Sequence, residues 1–138
     1  MQIGIDLGAS KIESVLLDKD GKEHFREREN SPNNYVETLV SIEKIVTNIE
    51  KKFNSNFNVG LGHPGSTNIK SGLLQNANNS PWMNNKFFQK DISKKLDRAV
   101  YCENDANCFA LSESVDGSAS QHKVVFGIIL GSGCGGGV

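Results

Sequence analysis

Gln2-Ile3-Gly4-Ile5-Asp6-Leu7-Gly8-Ala9-Ser10-Lys11-Ile12-Glu13 decides how the chain is read. Ile3, Ile5 and Leu7 alternate with Gly4 and Asp6, which predicts a strand with one buried face. Gly8-Ala9-Ser10-Lys11 is a tight turn of small residues, and residues 12–17 return as a second strand. A polyanion needs this combination of close backbone N–H groups, a hydroxyl and a cation. Asp6, just before the turn, is placed to hold a phosphate-bound Mg²⁺ through water, since that ion prefers one or two carboxylates with water and phosphate oxygens. The spacing is not that of a P-loop, and a strand rather than a helix follows. The alternative reading is a plain β-hairpin with Lys11 in solvent.

Outward from this hairpin, Asp18-Lys19-Asp20-Gly21 ends in a strong turn signal and predicts a third strand over 23–28, whose charges suit a sheet edge. Ser31 and Pro32 break the pattern. Tyr35, Val36, Leu39, Ile42, Val46, Ile49 and Phe53 then recur at three- and four-residue steps as the apolar stripe of a helix, with Asn34 and Glu37 as a loose capping box. Residues 58–62 read as a buried strand entering His63-Pro64-Gly65-Ser66. An Asn-rich loop with Trp82 follows, then a short helix over 87–96, a strand over 99–102, a helix over 106–114 and a strongly apolar, buried strand over 124–130. The order β-β-β-α-β-α-β-α-β is that of an α/β domain.

Three further segments carry candidate chemistry. Gly131-Ser132-Gly133-Cys134-Gly135-Gly136-Gly137-Val138 follows an apolar strand, where glycines let a ligand meet the backbone; with the first turn it can clamp one triphosphate from both sides. A flexible glycine-rich end is the alternative. In Glu103-Asn104-Asp105-Ala106-Asn107, Asp105 stands where a strand stops and a helix starts. It reads either as an N-cap or as a general base for an attacking hydroxyl, with Asn104 holding it. The amides and hydroxyls of Gly62-His63-Pro64-Gly65-Ser66 and Asn76-Ala77-Asn78-Asn79-Ser80-Pro81-Trp82 suit a polyhydroxyl ligand, or form a solvated Asn-rich loop with Trp82 pinned to the surface.

Composition sets outer bounds. The 138 residues carry a net charge of -1, with 37% hydrophobic and 22% charged residues, which suits one globular domain and gives no basic footprint for nucleic acid. Fourteen glycines against three prolines favour contacts made by backbone. Cys102, Cys108 and Cys134 lie at no zinc-like or redox-like spacing and read as reduced thiols, so the expected location is cytoplasmic. No signal-peptide pattern precedes the first strand, and no apolar run reaches the roughly 20 residues of a membrane span. His24, His63 and His122 are dispersed and read as surface or packing histidines.

In this order and spacing, residues 3–13, Gly60-Leu61-Gly62-His63-Pro64-Gly65-Ser66, Asn76-Ala77-Asn78 with Trp82, Glu103 to Cys108 and Gly127 to Gly137 resemble the ROK family of sugar kinases. The resemblance implies an actin/hexokinase/Hsp70-like ATPase domain, with a ribonuclease H-like mixed sheet flanked by helices. Residues 1–120 would form the N-terminal lobe and 121–138 the start of the second. It implies ATP and Mg²⁺ as cofactors and a hexose as substrate. Gly4, Ile5, Asp6, Leu7, Gly8, Ala9, Ser10 and Lys11 would form the first phosphate loop, and Gly131 to Val138 the second. Asp105 would be the catalytic base, Asn104 a sugar contact, and Gly65, Ser66 and Asn78 parts of the sugar side. Residues 108–117 look nearest to the bacterial fructokinase branch, which favours fructose. N-acetylhexosamine kinases, glucokinases and the non-catalytic sugar-sensing repressors of the family are the neighbours. A homodimer is common in the family. Its remaining sugar ligands, cysteine-rich structural zinc site and adenine pocket would lie beyond Val138, so the 138 residues alone are expected to be inactive. Two departures stand out: Ala9 replaces a usual glycine, which strains the turn if φ is positive there, and His63 replaces an aliphatic residue.

Overall fold

The computed structural model describes residues 1–131 and 133–138. Three strands open the chain: β1 (Gln2–Leu7), β2 (Lys11–Leu17) and β3 (Glu23–Asn30). They form an antiparallel meander. The β2–β3 turn is closed by the Asp18 carboxylate, which accepts from the backbone N–H of Asp20 (2.9 Å) and Lys22 (3.0 Å), and by Gly21 at φ 77°. Two further strands, β4 (Asn58–His63) and β7 (Val100–Asn104), add in parallel to give the order β3-β2-β1-β4-β7. The polar β3 is an edge, as its charges predict.

One face of this sheet carries the core. Ile3, Ile5 and Leu7 from β1, Ile12 and Leu16 from β2, and Val59 and Leu61 from β4 bury against α1 (Tyr35–Phe53) and α2 (Phe88–Lys95). The stripe of α1 holds at Ile42, Val46 and Ile49, with Tyr35, Leu39 and Phe53 partly buried against the core, and departs at Val36. Thr38, Ile42, Ile45, Val46 and Ile49 are buried, whereas Val36 is 68% exposed. Asn34 does cap α1, its side chain accepting from Glu37 N–H at 2.9 Å.

Between β4 and α2 a short hairpin, β5 (Ser66–Thr67) with β6 (Leu74–Gln75), and a 3₁₀ turn (Pro81–Met83) replace the featureless loop expected there. The last segment departs most. The strand expected over 124–130 shortens to β8 (Gly127–Leu130), and Cys134–Gly137, expected as a loop, is a strand, β9, paired antiparallel with it. This two-stranded ribbon lies outside the main sheet and packs on α3 (Asp105–Val115). Gly137 approaches so closely that a Cβ there would collide with the Ala106 carbonyl. The ribbon is therefore not the buried strand its composition suggests: Val124, Phe126, Ile128 and Leu130 are exposed and only Gly127 is buried among residues 127–130.

Arg98, between α2 and β7, ties α1 to the sheet. Its guanidinium donates to Glu50 Oε1 (2.6 Å), Glu50 Oε2 (2.9 Å) and the Phe57 carbonyl (3.1 Å). The hydrogen bonds from Arg98 hold the Glu50 carboxyl below its ordinary range. Arg98→Ala is expected to lower stability by about 2 kcal/mol at neutral pH in urea unfolding, since it strands a half-buried carboxylate. The wild-type advantage is present above the ordinary pKa of a glutamate. It fades as pH falls through the lowered value in the folded state.

Candidate active site

The carboxyl ends of β1, β4 and β7 lie side by side, and open α/β sheets bind ligands outside such ends. Three sequence-predicted elements leave the sheet there: the Gly8-Ala9-Ser10 turn after β1, the Pro64-Gly65-Ser66 loop after β4, and the Asn104–Asp105 corner after β7. Register explains what meets below them. Arg28, Glu13, Asp6, Gly62 and Glu103 pair successively across β3, β2, β1, β4 and β7 and form one row on the face opposite the core. The row lacks a side chain only at Gly62, and α3 closes over that gap. A Cβ on Gly62 would sit 3.7 Å from Asp105 Cα and 3.7 Å from Cys108 Sγ.

The carboxylates of this row have different partners. Glu13 is paired with Arg26 and, at 3.2 Å, with Arg28. Glu103 accepts from the backbone N–H of Asn104 (2.7 Å) and from Asn107 Nδ2 (3.0 Å). Among the described residues, Asp6 and Asp105 have no ion pair. Crowding by protein, then the negative charges of Asp105 and Glu13, push the Asp6 pKa above the ordinary carboxylate value; Arg28 opposes this. Asp6 still presents an exposed side chain, so a cation can reach it. Among the described residues no group of three or more His, Cys, Asp or Glu is arranged to hold a metal. One or two carboxylates with room for water and phosphate oxygens is a donor set that fits Mg²⁺ rather than a metal caged by protein.

Asp105 is not the N-cap that its position suggests. Asn104 takes that place, its side-chain oxygen accepting from Asn107 N–H at 3.1 Å, and Asp105 is the first residue of α3. The Asn104 Nδ2 donates both to the Gly65 carbonyl (2.7 Å) and to Asp105 Oδ1 (3.0 Å), and Ala106 N–H also donates to Asp105 Oδ1 (2.8 Å). One carboxylate oxygen is thus held while the corner fixes its direction. Gly65, Asn104 and Asp105 come together at this corner.

The other predicted residues divide. Gly65 has φ 79°, and a Cβ on it would collide with the Gln75 carbonyl and lie 2.8 Å from Ala77 N. The 64–66 and 75–77 segments therefore touch. Ser66 and Asn78 are exposed beside them, Asn78 N–H donating to the Asn76 carbonyl at 3.0 Å, with Asn76 at φ 60°. Gly4 and Ile5 lie within β1, Ile5 in the core and Gly4 against Val15, so only the end of the Gly4–Lys11 segment faces outward. Gly8 N–H closes the turn on the Lys11 carbonyl (2.9 Å), and Ser31 N–H donates to the Ser10 carbonyl (3.0 Å). Ala9 has no positive φ, so alanine is unstrained there. Lys11 is not simply solvated, because its ammonium donates to Asn30 Oδ1.

The structure describes the second glycine segment at Gly131 and from Gly133 onward. Gly131 N–H donates to the Gly133 carbonyl (2.8 Å), a Cβ on Gly133 would lie 2.6 Å from Asn79 Nδ2, and Cys134, Gly135, Gly136 and Gly137 belong to β9 with Val138 after them. Ser132 lies outside the described residues. Glu13, Gly62, Glu103, Cys108 and Asn79 lie in the quoted motifs but carried no role of their own in the sequence reading, and the structure brings them to this site. Glu13 and Glu103 fall in phase with Asp6 only once strand register is known.

Comparison with known proteins bears on the family and the fold. A family model described as "ROK family" matches residues 2–138. The N-acetyl-D-glucosamine kinase of Histophilus somni (strain 129Pt) is 40% identical over 139 residues, covering 100% of this chain and 45% of that protein. That of Haemophilus influenzae (strain 86-028NP) is 41% identical over 138 residues, covering 99% of this chain and 45% of that protein. The solved ROK family glucokinase of Streptomyces griseus, in complex with glucose and AMPPNP, superposes with a TM-score of 0.86 at 26% identity, over 98% of this chain and 43% of that one. The chain spans less than half the length of the curated relatives it matches. Its mixed sheet with flanking helices is the N-terminal part of an actin/hexokinase-like ATPase fold, and by the match over residues 2–138 the chain belongs to the ROK family.

Proposed function

We propose that this chain is the N-terminal half of an ATP-dependent amino-sugar kinase, with Asp105 as its base. The observation that carries the reading is the division of labour at one corner: Asn104 caps α3, which leaves the Asp105 carboxylate to face the carboxyl edge of the sheet beside Asp6 and Gly65. In the reaction the sugar hydroxyl oxygen bonds the γ-phosphorus of ATP as the bond to the ADP oxygen breaks, and the hydroxyl proton passes to Asp105. Asn104 and the Gly65 loop orient the sugar, with Ser66 and Asn78 at its rim. The turn from Gly8 to Lys11 offers backbone N–H groups and an ammonium to the phosphates, and Gly133, beside Asn79, approaches from the sugar side. Asp6 would hold Mg²⁺ through water; the ion supplies positive charge against the phosphate oxygens.

Relatives about 40% identical are named for N-acetyl-D-glucosamine, and a solved relative holds glucose. These names give no support to fructose, the sugar suggested by residues 108–117, and N-acetyl-D-glucosamine takes its place. The test is a sugar panel with the full-length form, this chain continued to the length of its relatives. N-acetyl-D-glucosamine is expected to show kcat/KM at least ~10-fold above glucose and fructose, because a site built for one polar substituent rejects analogues lacking it. The 138 residues alone are expected to give no turnover. A preference for fructose, or turnover by the 138 residues, overturns the corresponding half of the proposal.

A further inference from the structure

His63 has a place in this site that its sequence context does not announce. It ends β4 in phase with Val59 and Leu61, so its imidazole points to the core side and is 1% exposed. Phe88 of α2 meets the ring edge-on, with centroids 5.6 Å apart at 81°. Behind Phe88 stands Tyr35, at 6.4 Å, whose hydroxyl donates to Asp91 at 2.6 Å. A buried imidazole is costly unless its polar atoms are matched. Here Nδ1 lies 3.1 Å from the Pro64 carbonyl oxygen. A carbonyl only accepts, so Nδ1 carries the proton and donates, and Nε2 is the position that takes up a second one.

The bonded carbonyl is the one before Gly65. The next carbonyl, that of Gly65, receives Asn104 Nδ2 at 2.7 Å, and the same amide reaches Asp105 Oδ1 at 3.0 Å. Two successive peptide carbonyls are thus fixed, one from the core by His63 and one from the site by Asn104. Gly65 stands between these two bonds at φ 79°, so close to the 75–77 segment that a Cβ on it would collide with the Gln75 carbonyl.

We propose that His63 is a positioning residue for the sugar-side loop, its imidazole anchoring the Pro64–Gly65 peptide so that Asn104 and Asp105 meet the sugar in one fixed arrangement. The sugar's place in that arrangement rests on the kinase reading above. The groups that act on the ring are few. Phe88 gives an apolar wall, Glu103 of β7 and Asp105 of α3 favour the charged form, as does the Pro64 carbonyl, and burial outweighs them to keep the pKa below the ordinary histidine value. The anchor is therefore intact at neutral pH. As pH falls through the lowered value, a charge enters the buried pocket and loosens the loop.

The test joins spectroscopy of the 138-residue chain to kinetics of the full-length form. In nuclear magnetic resonance between about pH 5 and 8, the Gly65 amide and the Asn104 side-chain amide are expected to titrate together with the His63 ring. That shared titration should vanish in His63→Leu, which fills the pocket but has no donor. In kinetics, His63→Leu is expected to raise KM for the sugar about tenfold, the effect of losing one buried hydrogen bond. KM for ATP should stay within about twofold, and the acid limb of kcat/KM for the sugar should lose the step that follows the His63 titration, leaving only that of the Asp105 base. His63→Asn, which keeps a short N–H donor, should restore KM to within about threefold. Equal changes in both KM values, or an unaltered acid limb in His63→Leu, overturn the proposal. Shared titration in a full-length protein that phosphorylates no sugar keeps the anchor and overturns the kinase reading instead.

Discussion

Asp105→Asn in the full-length form is expected to lower kcat by about 10³-fold, within the 10²- to 10⁴-fold range of a lost general base, while the melting temperature stays within about 2 °C. The two halves of this expectation have separate causes. The rate falls because an amide cannot take the proton of the attacking hydroxyl. The fold survives because the capping bond of α3 belongs to Asn104, and its 3.1 Å contact with Asn107 N–H does not involve position 105. Asparagine also keeps a side-chain oxygen for the Ala106 N–H and the Asn104 amide. Steady-state kinetics with thermal melting measures both. A large drop in melting temperature with a proportionate loss of activity would make Asp105 a structural residue. Full activity in the variant would remove it from the chemistry.

Gly65→Ala should produce the second large effect, a loss of about 3 kcal/mol in stability together with at least a tenfold rise in sugar KM. Two costs combine at this position. A left-handed φ costs an alanine roughly 1–2 kcal/mol. In addition, the new Cβ collides with the Gln75 carbonyl and presses on Ala77 N. Gly21 separates the two terms: its φ of 77° is nearly the same, but a Cβ there meets nothing within 4 Å. Gly21→Ala should therefore cost only the backbone term, about 1 kcal/mol. Chemical unfolding of both variants reads the difference directly. Equal costs at the two glycines would mean that the 64–66 and 75–77 segments yield easily, and the tight sugar-side loop would lose its basis.

The sheet was legible because its signals are local. Alternation in β1 and β2, the Asp-Gly turn and the charged third strand each specify a short piece of backbone without help from the rest. What needed the tertiary structure was phase and partnership. A helical stripe tolerates a neighbour on either flank, so Val36 and Ile45 competed for the core of α1, and the docking of α1 on the sheet chose Ile45. Two good capping residues stood side by side at 104 and 105, and only backbone dihedrals distinguish them. The glycine run 135–137 has no side chains to announce a strand; its pairing with β8 does. The apolar residues 124–130 promised burial, but a ribbon whose support is α3 leaves much of its surface uncovered. His63 was readable in hindsight, since Val59 and Leu61 set a two-residue rhythm that reaches it.

The site followed the same division. Residues at strand ends, turns and corners, such as Asp6, Gly65, Asn104 and Asp105, could be singled out one by one. The acidic row joining Glu13, Asp6 and Glu103 exists only through register, which no local pattern encodes.

The corner at Asn104 also limits how this position can vary over evolutionary time. Asparagine, aspartate, serine and threonine all cap helices well, so a helix start considered alone accepts any of them. Here the same side chain must accept from Asn107 N–H and donate to both the Gly65 carbonyl and Asp105. Aspartate has no hydrogen to give when ionised, and the single hydroxyl hydrogen of serine or threonine cannot serve two acceptors. Four acceptable residues shrink to one, and a neutral drift that any ordinary helix cap permits is closed to this chain at position 104.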